Sequence, residues 1–163
     1  MLAAPIHRAA IPLGKLLSIG LQTMLQALII AIIALCLGVR FETGVAGIAF
    51  LLLVAGLFGV IMGSISLSLA AKLTSFEALM AITNFLTMPL MFTSNAMFPT
   101  NSMPGWLQAV AHVNPLSYAV HVMRTVATKG WIFDEIWLPL LLLFCIAGIT
   151  VSISIRMFSH SVR

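Results

Sequence analysis

Charge is what this chain has least of. Its 163 residues carry eight basic and four acidic side chains, 7% charged in all, against about 25% in a soluble domain. So few charges cannot furnish a water-facing surface, and the size expectations of soluble domains do not apply. Cysteine is nearly absent too. Cys36 and Cys145 both sit inside apolar runs, where a small buried thiol is the common case, so no disulfide framework is expected.

Catalytic and nucleotide-binding motifs are also missing. A phosphate-binding loop needs G-x-x-x-x-G-K-[ST], so that backbone amides and the lysine can hold phosphates. The one Gly-Lys pair is Gly14-Lys15; Leu16 follows it, and Ala9 stands where the first glycine belongs. The chain is therefore not expected to hydrolyse ATP itself. His7, His112, His121 and His160 are scattered, and the middle two flank Asn114-Pro115 without the helical spacing of a metal pair. No nucleophile elbow, H-E-x-x-H motif or carboxylate cluster occurs, so no enzyme and no bound cofactor are expected.

What the chain has is apolar sequence: 61% hydrophobic residues and a mean hydropathy of +1.15. Four runs are long enough to cross a hydrocarbon core of about 30 Å at about 1.5 Å per residue. They are residues 16–39, opened by Lys15 and closed by Arg40; 45–71, closed by Lys72; 78–98; and 136–155, stopped by Arg156. The second exceeds the need, so tilt is expected. The first run is longer than a signal-peptide core and lacks a small-residue cleavage site. Leu35 before Cys36 is too bulky for a lipoprotein site. An all-α integral membrane protein with four spans and short external interfacial or re-entrant helices is the expected fold.

Basic residues set the orientation. With the N-terminus inside, Arg8, Lys15, Lys72, Arg156 and Arg163 are cytoplasmic. Arg40, Arg124 and Lys129 are external, offset by Glu42, Asp134 and Glu135. Both termini are expected inside the cell, with residues 99–135 external. The net charge of +4 reads as topology, and no nucleic-acid partner is expected.

Within the second run, Gly59 and Gly63 share a helix face and let another backbone approach closely; helix packing is the expected role. The third run holds Pro89, which removes an intrahelical hydrogen bond and should kink the helix. Asn84, Thr87 and Asn95 supply polar groups that need partners in lipid, and with Pro89 they are candidates for lining a pathway. No Asp, Glu, Lys or Arg lies deep in any run. That weighs against an ion-driven carrier, as does the lack of an internal repeat.

Two further segments carry the inference. Residues 1–15 are short, apolar and basic, suited to the cytoplasmic membrane surface, with Arg8 and Lys15 near anionic headgroups. In the external segment, Trp106 suits an interface. Asn114 can cap a helix that has Pro115 at its first position. In that helix Leu116, Ala119, Val120, Met123 and Ala127 recur on one face, with Ser117, His121, Arg124 and Thr128 largely opposite. An amphipathic helix at the outer membrane surface is expected.

The order Pro89, Phe98-Pro99, Met103-Pro104-Gly105-Trp106-Leu107, Asn114-Pro115-Leu116-Ser117-Tyr118, Arg124 resembles the signature of the ABC-2 type permease family, membrane subunits of ATP-binding-cassette exporters. Ser94-Asn95-Ala96-Met97-Phe98-Pro99 is similar to its daunorubicin-resistance and drug-efflux branch. Pro5-Ile6-His7-Arg8, followed by Gly14-Lys15, resembles the family's cytoplasmic connection before the third span. Family members usually have six spans, and this chain begins where the approach to the third would be, so the first two are expected to be missing.

The resemblance implies a permease subunit in a bacterial or archaeal plasma membrane, exporting an apolar or amphipathic substrate such as a drug, a lipid or a lipid-linked glycan. It implies a second permease copy, surrounding lipid, and an ATPase partner that binds the ATP and Mg. Pro5, Ile6, His7 and Arg8 would couple to the ATPase, and Trp106, Asn114, Pro115, Tyr118 and Arg124 would form an external lid. A four-span structural or assembly protein without transport activity is the competing expectation.

Overall fold

The computed structural model describes residues 10–73, 75–94, 96 and 104–161, with side chains to Met157. Pro5, Ile6, His7, Arg8 and Asn95 lie outside the described residues. Among those described, every regular element is a helix: α1 Ala10–Cys36, α2 Gly44–Ala70, α3 Phe76–Thr93, α4 Gly105–Ala111, α5 Pro115–Thr128 and α6 Phe133–Ser161. Four are long and apolar enough to cross a membrane: α1, α2, α3 and α6 as far as Met157.

Local chemistry sets the ends. Gly38 has φ +85, its N–H donates to Leu35 O, and Val39 N–H donates to Ala34 O. That pair of bonds closes α1 as a glycine-terminated Schellman motif. The expected continuation to Val39 therefore fails, because only glycine takes a positive φ without a Cβ penalty. Ser75 caps α3 by accepting from Ala78 N–H at 3.1 Å, the usual task of serine before a first turn. Gly130, at φ +90, ends α5. Asp134 and Glu135 occupy the first turn of α6, the end where the helix dipole favours acids, and Lys129 Nζ meets Glu135 Oε2 at 2.9 Å across the turn.

α1 and α2 form an antiparallel pair joined by residues 37–43. Glycines set their separation. A Cβ on Gly59 would stand 2.3 Å from Thr23 Oγ1, and one on Gly63 would stand 2.9 Å from Ile19 Cδ1. Gly20 and Gly56 face the same contact. Such close approach maximises packing where lipid gives helices no hydrophobic drive to associate.

The core lies between α2, α5 and α6: Val54 and Ile61 from α2, Ala119, Val122 and Val126 from α5, and Ile136, Leu143 and Ala147 from α6. Elsewhere the molecule shows apolar surface. Leu17, Leu21, Leu25 and Ile29 form a stripe on α1, each more than half exposed, as a lipid-facing stripe would be. α3 has no buried residue and touches the rest of the bundle sparingly.

α5 does not lie flat across an end of the bundle. Its C-terminal end is tied to the α1–α2 turn, with Thr43 Oγ1 donating to Val126 O at 3.0 Å and Glu42 N–H to Ala127 O at 3.3 Å. From there it runs along α2 and α6 into the bundle. Its 14 residues span about 21 Å, too short to cross about 30 Å of hydrocarbon. It packs along the spans rather than across their end, and it is too short to be a fifth span.

The buried face of α5 also corrects the expected one. Ser117, Ala119, Val122, Thr125 and Val126 are buried, while Leu116, Val120, Met123 and Ala127 are only partly so. Small and β-branched side chains face the neighbouring helices because they allow close approach, and the larger apolar ones can face lipid at no cost.

Candidate functional site

The C-terminal end of α3 meets the N-terminal end of α5 within the bundle, and Asn114 joins them. Its Oδ1 accepts from Leu116 N–H at 2.9 Å, the expected cap, with Pro115 at the first helical position. Its Nδ2 donates to Leu90 O at 2.7 Å and to Thr93 Oγ1 at 3.0 Å. Leu90 O is one of the last four carbonyls of α3, which have no partner within the helix. Ser94 Oγ takes the next, donating to Met91 O at 2.8 Å. Thr93 Oγ1 in turn donates to Pro89 O at 2.7 Å. A chain of hydrogen bonds thus runs from Asn114 through Thr93 to Pro89. Asn114 is 3% exposed, and an amide buried there is tolerated because both its ends are bonded.

The turn before α5 is satisfied from within as well. His112 N–H donates to Gln108 O, Val113 N–H to Val110 O, Asn114 N–H to Ala111 O and Ser117 N–H to Asn114 O. Tyr118 Oη donates to His112 O in a short contact. Non-helical backbone at membrane depth is stable only when its polar groups are bonded to protein or line a wet cavity. Tyr118, expected on an outer lid, supplies one of those bonds.

Two apolar grooves flank α3. One, of about 490 Å³, lies between Phe58, Met62, Ile65 and Leu69 of α2 and Thr83, Leu86, Thr87 and Leu90 of α3. The other, of about 320 Å³, is lined by Phe85, Pro89 and Thr93 of α3, Val110 of α4 and Asn114. Met62, Ile65, Leu86 and Leu90 border both. Met62 stands 18 residues from the start of α2 and eight from its end, about 27 Å and about 12 Å along its axis, and Leu69 carries the first groove to the α2–α3 end of the bundle.

The candidate pathway residues do not converge. Thr87 lines the first groove with its hydroxyl turned to Thr83 O at 2.7 Å, Pro89 borders the second, and Asn84 is exposed on neither groove. Of the expected lid group, Trp106 on α4 is 71% exposed. Arg124 is exposed on α5, Pro115 and Tyr118 are half-buried, and Asn114 is buried. Among the described residues, no group of three or more His, Cys, Asp or Glu could hold a metal ion. Sequence reasoning missed Leu90 and Thr93 as partners of Asn114, and Thr23 as the partner of Gly59. The Asn-Pro pair signals a cap but carries no signal for a second contact 24 residues away.

Comparison with known proteins bears on this arrangement. The family model described as ABC-2 type transporter matches residues 1–127. The chain is 30% identical over 141 residues to a Cyanophora paradoxa protein named as a transport permease, ycf38, covering 83% of this chain and 47% of that protein. It is 25% identical over 156 residues to the daunorubicin resistance ABC transporter permease protein DrrB1 of Streptomyces coeruleorubidus, covering 96% of this chain and 55% of that one. To nodulation protein J of Rhizobium meliloti it is 28% identical over 116 residues, 71% of this chain and 43% of that one. The chain spans about half the length of the curated relatives it matches. No solved structure matches it.

Proposed function

The chain belongs to the ABC-2 type transporter family, and from that premise we propose that it serves as a membrane permease subunit of an ATP-driven exporter. The observation that carries this reading is α5, a helix too short to span, packed among apolar spans beside two apolar grooves that flank α3. A protein that only fills or anchors membrane has no need of a broken element bonded at its centre, and such irregular backbone accompanies substrate paths in transporters.

The ATPase would be a separate subunit that binds ATP and Mg, and a second permease copy would complete the pathway. Pro5, Ile6, His7 and Arg8 would receive the ATPase on the cytoplasmic side, with both termini inside. Its closure would tilt the spans against one another and switch the pathway between inward and outward access. Trp106 and Arg124 would belong to the outer end, Asn84, Thr87 and Pro89 to the moving helix, and Asn95 to the pathway. The grooves expose almost only carbon, which suits an apolar or amphipathic substrate.

The test is co-purification with the ATPase together with ATP-dependent uptake of an apolar dye by inverted vesicles. The unaltered pair should co-purify and take up dye. Pro5→Glu with Arg8→Glu should abolish both while the permease remains in the membrane. If the double variant keeps its ATPase, the coupling role is wrong. If the unaltered chain binds no ATPase and moves no dye, a four-span structural protein is the better reading.

A further inference from the structure

We infer that Asn114 is a latch. It holds the last turn of α3 to the core, and Pro89 is the point about which the rest of α3 pivots. The inference does not depend on the transport reading.

Three observations carry it. First, α3 has no buried residue and is separated from α2 by a groove of about 490 Å³, so packing does not fix it. Second, its C-terminal turn is fixed, through Leu90 O and Thr93 Oγ1, to a side chain 3% exposed on the element next to the core. Third, Pro89 lies inside the helix immediately before the anchored turn. Lacking an N–H, it leaves Phe85 O without its helical donor and weakens the helix there. A helix anchored beyond its weakest joint and loose before it bends at that joint.

Asn114 is not a substrate-recognition group. Both amide hydrogens are committed, one to Leu90 O and one to Thr93 Oγ1. It is a positioning residue.

Capping and latching can be separated. Asn114→Asp keeps an oxygen for Leu116 N–H and, as a carboxylate, offers no donor hydrogen, whereas Asn114→Ala removes cap and latch together. Hydrogen exchange of the full chain in lipid nanodiscs reads both ends. With Asn114→Asp, the amides of residues 90–94 should exchange about tenfold faster while those of 116–118 keep their protection; with Asn114→Ala both should speed up. Thr93→Val, which loses one acceptor, should speed 90–94 by about threefold and supports folding if the aspartate does not. Unchanged exchange at 90–94 in these variants overturns the latch, and so does equal loosening of both ends by Asn114→Asp. The pivot is tested by spin labels in a cysteine-free background. The Leu69–Thr83 pair should show a broader distance distribution than Met62–Leu90, and Asn114→Asp should broaden the second to match. Equal widths in the unaltered protein overturn the pivot.

Discussion

Asn114 Nδ2 lies 2.7 Å from the carbonyl oxygen of Leu90, so one side chain closes α3 and opens α5. Helix ends leave carbonyls and amides without partners, and in a membrane interior no water replaces them. A single amide answers one deficit of each kind, because it donates through nitrogen and accepts through oxygen. It also sets the negative end of one helix dipole against the positive end of another.

The α1–α2 contact should tolerate a methyl group unequally. Gly59→Ala meets Thr23, whose hydroxyl is held by a 2.9 Å bond to Ile19 O and whose β-branched side chain cannot turn away easily. A loss of about 1–3 kcal/mol is expected. Gly63→Ala meets Ile19 Cδ1 at 2.9 Å and Cγ2 at 3.1 Å, a looser contact than that with Thr23, and should cost less, with Ile19→Ala relieving the clash. Gly148→Ala, with nothing within 4 Å of the new carbon, should be neutral or gain about 0.5–1 kcal/mol. Unfolding midpoints in one detergent rank the three.

Tyr118→Phe should destabilise the turn before α5. It keeps the ring but removes the donor to His112 O, leaving a carbonyl without its partner. About 1 kcal/mol is the expected loss. Loss of protection should be confined to residues 112–118 in hydrogen exchange, and spreading along α6 would contradict the assignment.

Core and lipid-facing positions should separate cleanly. Leu143 and Ile61 are fully buried, and truncation of either to Ala should cost about 2–5 kcal/mol through the cavity left behind. Leu21 and Leu25, both more than half exposed, should change stability by no more than about 0.5 kcal/mol on the same truncation. Chemical unfolding in mixed micelles would measure both sets.

The two ends of the bundle should label from opposite sides of the membrane. With Cys36 and Cys145 replaced by Ser, Arg40→Cys in the α1–α2 turn should react with an impermeant maleimide on intact cells. Lys72→Cys, between α2 and α3, should react only after permeabilisation. The reverse pattern would invert the proposed orientation.

How much of this could be read from the chain differs element by element. Lys15, Arg40, Lys72 and Arg156 punctuate the apolar runs because an ionised side chain is costly in hydrocarbon, and that signal is local, although α1 and α6 extend past Lys15 and Arg156. Asn114-Pro115 announces a helix start for an equally local reason. The inward face of α5 was not legible. Hydrophobicity marks the buried face in water, but in lipid the outward face is as apolar as the inward one, and small size is what selects the packing side. Thr87 and Asn84 read alike as polar groups in a span, and both are exposed on α3. Only Thr87 lines a groove, a difference set by where α2 passes.

By itself the sequence determined that the chain is a membrane protein with four apolar helices and a Pro-bounded segment between the third and fourth, because length, charge and glycine or proline position act over a few residues. Only the tertiary structure decided that this segment turns into the bundle and that Asn114 ties it to α3. A hydrogen bond between residues 24 apart depends on how helices cross, and crossing is fixed by glycines and small side chains whose partners the linear order does not name.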